Sequence, residues 1–118
     1  MKIFHFTLHK PVYVYTQTCP AGVRPLAFFR EHKSESYLLE RSVAKRENLA
    51  FTYPCRCIQL ETETALTAVG ITAKVARMLA KNDIPCNVIA AYHHDYFFVP
   101  EAMAEQAVAL LNAAGLTS

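Results

Sequence analysis

The sequence predicts an α+β fold whose better-patterned half runs strand, helix, strand, strand, helix. Three observations predict it: two-residue alternation over residues 55–61, a change to helical period at Ile71, and two apolar runs split by His93-His94-Asp95 ahead of a second helical stretch.

In the first half, Ile3, Phe4, Phe6 and Leu8 alternate weakly over residues 1–10, consistent with a further edge strand. Pro11–Thr16 reads as a strand with Val12 and Val14 on one face and two tyrosines on the other. Leu26–Arg30 and Ser36–Glu40 are expected to pair across His32-Lys33-Ser34-Glu35, and Arg41–Asn48 reads as a short helix. In the second half, Ile58 and Leu60 share one face of a strand and Cys57, Gln59 and Glu61 the other. Ile71, Val75, Met78, Leu79 and, beyond the helix, Ile84 form an apolar stripe, with Lys74, Arg77 and Lys81 facing out. Asn82-Asp83 before Ile84-Pro85 stops that helix. Cys86–Tyr92 reads as a buried strand, His93-His94-Asp95 as a tight turn and Tyr96–Val99 as the return strand. Pro100 is placed at the first helical position of a last helix along Met103, Ala104, Ala107, Val108 and Leu111, ending near Gly115.

These are five elements of a ferredoxin-like βαββαβ unit, with the closing strand missing after residue 113. An uncovered apolar edge invites aggregation, so the preceding half is expected to lend that strand. The preceding half is itself a worn copy, with a loop in place of the first helix. We therefore divide the chain into a degenerate half, residues 1–54, and a better-formed half, residues 55–118, two intertwined units with antiparallel sheets and helices on one face.

Composition limits the function. About 50% of the 118 residues are apolar once Tyr is left out and Gly counted in, which excludes disorder for most of the chain. Twelve basic residues against ten acidic give a net charge of +2, too small to draw nucleic acid or an anionic membrane. No apolar run is long enough to span a bilayer or to form the core of a signal peptide, and a cytoplasmic location is expected. Cys55 and Cys57 share one strand face; without zinc-type spacing they read as small buried hydrophobes in preference to a metal or redox pair.

The run Ala68-Val69-Gly70-Ile71-Thr72-Ala73-Lys74-Val75-Ala76-Arg77-Met78-Leu79-Ala80, then Ile84–Ile89 and Tyr92–Pro100, resembles an ACT domain. More narrowly it is similar to small bacterial proteins with tandem ACT-like halves, related to the ACT regions of aspartate kinases and of CASTOR-type amino-acid sensors. Arg24-Pro25-Leu26-Ala27-Phe28-Phe29-Arg30 fits the first half of that pattern. The resemblance implies a non-catalytic regulatory module that binds a small ligand, usually an amino acid, between paired units of a homodimer. It places the ligand against Val69, Gly70, Ile71 and Thr72 before the helix, and against Asn87 and Val88 at the start of the next strand.

The residues lend this partial support. Gly70 permits close backbone approach, and the free N–H groups of Ile71 and Thr72 at the positive end of the helix dipole suit a carboxylate. The plainer reading is a turn glycine and a helix-start threonine. Asn87 lies in an apolar strand and is expected to have a partner, the Gly70 loop or a ligand. His93, His94 and Asp95 are the strongest alternative cluster, as an interface or ligand contact, or as the acid-base or metal-binding machinery of a small enzyme. Chain neighbours rarely converge on one ion and all three residues suit turns, so the structural turn is preferred and neither metal nor cofactor is expected. An oligomeric adaptor with no ligand is the blandest reading.

Overall fold

The structure, a computed structural model, describes residues 2–118. Its elements are β1 (Phe6–Thr16), β2 (Ala27–Arg30), β3 (Glu35–Glu40), α1 (Arg41–Arg46), β4 (Thr52–Leu60), α2 (Ile71–Ala80), β5 (Asn87–Ala90), β6 (Asp95–Pro100), a 3-10 turn (Glu101–Met103) and α3 (Ala104–Ala113). The chain forms two compact units, Pro11–Cys55 and a second made of Arg56–Ser118 with the residues up to Lys10. The residues up to Lys10 thus belong with the C-terminal unit. Strands β1 and β4 each pass from one unit into the other.

In the C-terminal unit the strand order is β1-β4-β6-β5. Residues 6–10 of β1 lie beside β4 and complete βαββαβ, so they are the first part of one long strand and not a separate one. Phe4 and Phe6 enter a core with Ile58, Leu60, Val75, Leu79, Ile84, Phe97, Val99, Ala104, Ala107 and Leu111. The rings of Phe4 and Phe6 meet edge to face at 6.4 Å, and so do those of Phe6 and Phe97. Asn112 of α3 clasps the Phe6 backbone, accepting its N–H at 2.8 Å and donating to its carbonyl at 3.0 Å. Residues after Gly115 return to the N-terminal segment, where Phe4 N–H donates to Leu116 O at 2.7 Å.

Helix α2 buries Val75 and Leu79 and packs Ile71 and Met78 against the same core, as its stripe requires. Asp83, at φ 56°, ends it: the Asp83 N–H reaches Ala80 O and the Ile84 N–H reaches back to Leu79 O. This is a Schellman closure with apolar Ile84 packed inward. Strand β5 is shorter than the expected Cys86–Tyr92 and is half-exposed, because among the described residues it pairs with β6 alone, in the register Asn87↔Phe98 to Ala90↔Asp95. Pro100 ends β6 with ψ 140° instead of opening the helix, and the 3-10 turn intervenes before α3.

In the N-terminal unit the order is β2-β3-β1-β4. Ala27↔Leu38 through Arg30↔Glu35 pair as expected across a turn closed by Glu31 N–H to Ser34 O at 2.8 Å. Tyr13, Val14 and Thr16 of β1 are all buried, so simple alternation fails there. Helix α1 ends at left-handed Asn48 in the same way that α2 ends at Asp83, and residues 17–26 form a loop where βαββαβ would carry its first helix.

Candidate functional site

The loop from Glu61 to Gly70 leads into α2. Gly70 takes φ 88° and ψ −6°, a left-handed conformation that glycine reaches at little cost, and its carbonyl accepts the first helical bond from Lys74 N–H at 3.0 Å. No side chain caps the helix and its first turn holds no acidic residue. The first-turn amides and the positive end of the dipole therefore remain available to an anion. Thr72 is exposed, Ile71 packs inward, and Val69 is 95% exposed, an apolar side chain held in water.

The same loop forms one wall of a cleft of about 630 Å³, lined by Lys2, Glu63, Thr64, Ala65, Leu66, Thr67, Tyr92 and His93. Two polar contacts join the loop to the β5–β6 hairpin: Thr64 Oγ1 donates to Asp95 Oδ2 at 3.3 Å, and His93 Nδ1 lies 3.4 Å from Glu63 Oε1. Ala91 N–H to His94 O closes the hairpin at 3.0 Å, which makes the His93-His94-Asp95 segment the expected turn with Asp95 already in β6. The cleft offers a cation in Lys2, a carboxylate in Glu63, a hydroxyl in Thr67 and apolar surface at exposed Leu66 and Tyr92.

The residues singled out from the sequence do not all meet. Val69–Thr72 follow the cleft-lining loop directly, and His93 lines the cleft itself. Asn87 and Val88 begin β5 at its far end, beyond α2, which is about 15 Å long at ten residues. Asn87 is also exposed, which leaves its amide open to solvent. Lys2, Glu63, Thr64, Leu66, Thr67 and Tyr92 were not anticipated; the readable signal is a long polar connection at 61–70, where a plain strand-to-helix link takes 2–6 residues.

His93 is engaged with Glu63 and Asp95 with Thr64, while the His94 ring stands 6.4 Å from that of His93. No group of three or more His, Cys, Asp or Glu among the described residues is arranged to hold a metal ion. Cys55 and Cys57 are buried, and burial pushes the Cys55 thiol up to about 11, as it does that of Cys86. Both thiols stay protonated near neutrality, when the thiolate is the nucleophile.

A βαββαβ module with a long exposed loop ahead of its first helix is a ferredoxin-like architecture. The chain belongs to the ACT domain family, whose model matches residues 51–113, just over half of its length. A Vibrio cholerae protein of unknown function, described as a possible transport protein, is 34% identical over 90% of this chain and 85% of its own, with a TM-score of 0.83. An Agrobacterium tumefaciens protein is 19% identical over 98% of this chain and 91% of its own, at TM-score 0.76. The ligand-free regulatory subunit of Thermus thermophilus aspartate kinase shares the fold at 9% identity and TM-score 0.70, over 96% of this chain and 99% of its own. No curated protein sequence matches. No helix among the described residues is long and apolar enough to cross a membrane.

Proposed function

We propose that this protein is a non-catalytic regulatory module of the cytoplasm that binds a small ligand, of amino-acid type, at the entrance to α2 and acts as a homodimer. One observation carries the reading: left-handed Gly70 opens a helix whose first-turn amides no side chain caps, directly after a loop that walls a ligand-sized cleft. The carboxylate sits on the amides of Ile71 and Thr72, and Glu63, the acidic side chain in the lining of the cleft, takes the ammonium group. Asn87 and Val88 lie too far along the unit to join that ligand in the same chain, so their part falls to a second copy, which is how a dimer enters the site. Binding then favours one packing of the paired units by differential affinity, and a partner reads the shifted population.

A thermal-shift screen of the protein-forming amino acids tests this. A ligand specific for the folded state at about 100 times its Kd adds about 2.7 kcal/mol of stability. At least one amino acid is expected to raise Tm at millimolar concentration, with the rise lost in Gly70→Val when each protein is measured against its own ligand-free Tm. No rise for any amino acid, or an equal rise in the variant, rejects the reading.

A further inference from the structure

The N-terminal unit holds its own cavity, of about 360 Å³, walled by β1, β3, α1 and the loop 17–26. Topology explains why it is there. In the C-terminal unit α2 connects the first two strands of the fold, whereas here only loop residues make that connection. The loop is nevertheless tied down. Gly22 turns it at φ 86°, Val23 N–H donates to Pro20 O at 3.1 Å, Cys19 Sγ to Val23 O at 3.3 Å, and Leu26 N–H to Leu38 O at 2.8 Å. Pro20 and Pro25 stiffen it further. The cavity wall is thus formed before any ligand arrives, which lowers the ordering cost of binding.

Its lining has a distinct chemistry. Tyr13, 8% exposed, and Glu40 are cross-strand partners in the β1–β3 register, so their side chains share one face. Val43 of α1 and Leu26 add apolar wall, and Arg24 stands on the loop. Neither Arg24 nor Glu40 makes a side-chain hydrogen bond or ion pair among the described residues. One cavity therefore carries a guanidinium and a carboxylate, each without a protein partner, over an apolar body.

We infer that this cavity is a second small-molecule site, selective for a zwitterion with an aliphatic body, the chemistry of an aliphatic α-amino acid. The guanidinium of Arg24 pairs with the ligand carboxylate, Glu40 accepts from its ammonium group, and the aliphatic part lies on Tyr13, Leu26 and Val43. A ligand carrying one charge leaves the opposite protein charge unanswered. The volume is near the lower end of the roughly 300–1,000 Å³ of ligand pockets, which favours a small metabolite over a nucleotide. This site shares no residue with the α2 entrance and does not depend on that reading.

The test is a titration of the whole 15N-labelled protein with L-leucine and, separately, with 4-methylpentanoate, which keeps the carboxylate and loses the ammonium group. Leucine is expected to move the amide resonances of Arg24, Leu26, Glu40 and Val43 saturably, and more tightly than 4-methylpentanoate does. Arg24→Gln and Glu40→Gln each remove a charge-assisted bond and should weaken leucine binding about tenfold or more. In Glu40→Gln the preference for leucine over 4-methylpentanoate should vanish. Both side chains are exposed, and unchanged spectra elsewhere report that the variants fold. Still resonances at these four residues up to about 20 mM leucine, a range that covers binding weaker than 1 mM, overturn the inference. So does undiminished binding by Arg24→Gln. Shifts confined to residues 69–72 also overturn it while supporting the α2 entrance, so the two readings fail separately.

Discussion

Replacing Gly70 by Ala isolates the backbone conformation on which the α2 entrance depends. Gly70 sits at φ 88°, and a Cβ built on it meets no atom within 4 Å, so the substitution adds strain without a clash. Holding an L-residue in the left-handed region costs about 1–2 kcal/mol. The narrower unfolded ensemble of Ala returns about 0.4–1 kcal/mol, which leaves a net loss near 1 kcal/mol. In urea, with a slope of about 2 kcal/mol/M, the midpoint should fall by about 0.5 M with the slope unchanged. Gly70→Asn should lose less, since Asn enters the left-handed region more readily, and Gly70→Val more, since a β-branched residue is a poor fit there. An Ala variant as stable as the parent would mean that residue 70 is not held left-handed. Equal losses for Asn and Val would mean that the cost is not backbone strain. Either result removes the physical basis for a preformed anion site at α2.

Two other outcomes follow from the packing and the thiols. Asn112→Ala strips both hydrogen bonds from the Phe6 backbone in a part-buried setting and should cost about 1–3 kcal/mol in urea unfolding; a neutral result would show water replacing the clasp. Cys55 and Cys86 titrate near 11 in the folded protein against an ordinary 9.0. The folded state therefore holds these protons more tightly, so stability is full below pH 9 and falls as pH rises toward 11. Replacing both with Ala should flatten the fall in urea midpoint between pH 9 and 11, and an equally steep fall in the variant would assign it to other groups.

Much of the fold is legible in the residues because its signals are local. The stripe from Ile71 to Leu79 announces α2, Asp83 before Ile84 ends it, and the alternation at Ile58 and Leu60 marks β4. The candidate site was half legible. Gly70 before an apolar-periodic segment names the helix entrance, and His93-His94-Asp95 names a turn. Lys2, Glu63 and Tyr92 carry no local mark, since they become neighbours only when the 61–70 loop lies against the β5–β6 hairpin. Asn87 misleads for a related reason: it sits among apolar letters, yet β5 pairs with β6 alone among the described residues, and that exposure is a property of the sheet.

The closing strand makes the same division. From the order of elements alone the C-terminal half lacks a last strand, and something upstream has to supply it, because an open apolar edge is unfavourable in water. The sequence by itself thus determined the helix and strand periods, their stops and the need for a lent strand. Which residues lend it was decided by tertiary structure. Residues 6–10 become the partner of β4 because Phe4 and Phe6 fill the core beside Phe97 and Leu111, and because Asn112 and Leu116 bind their backbone. Those contacts span about a hundred residues of chain, a separation at which alternation and propensity carry no information.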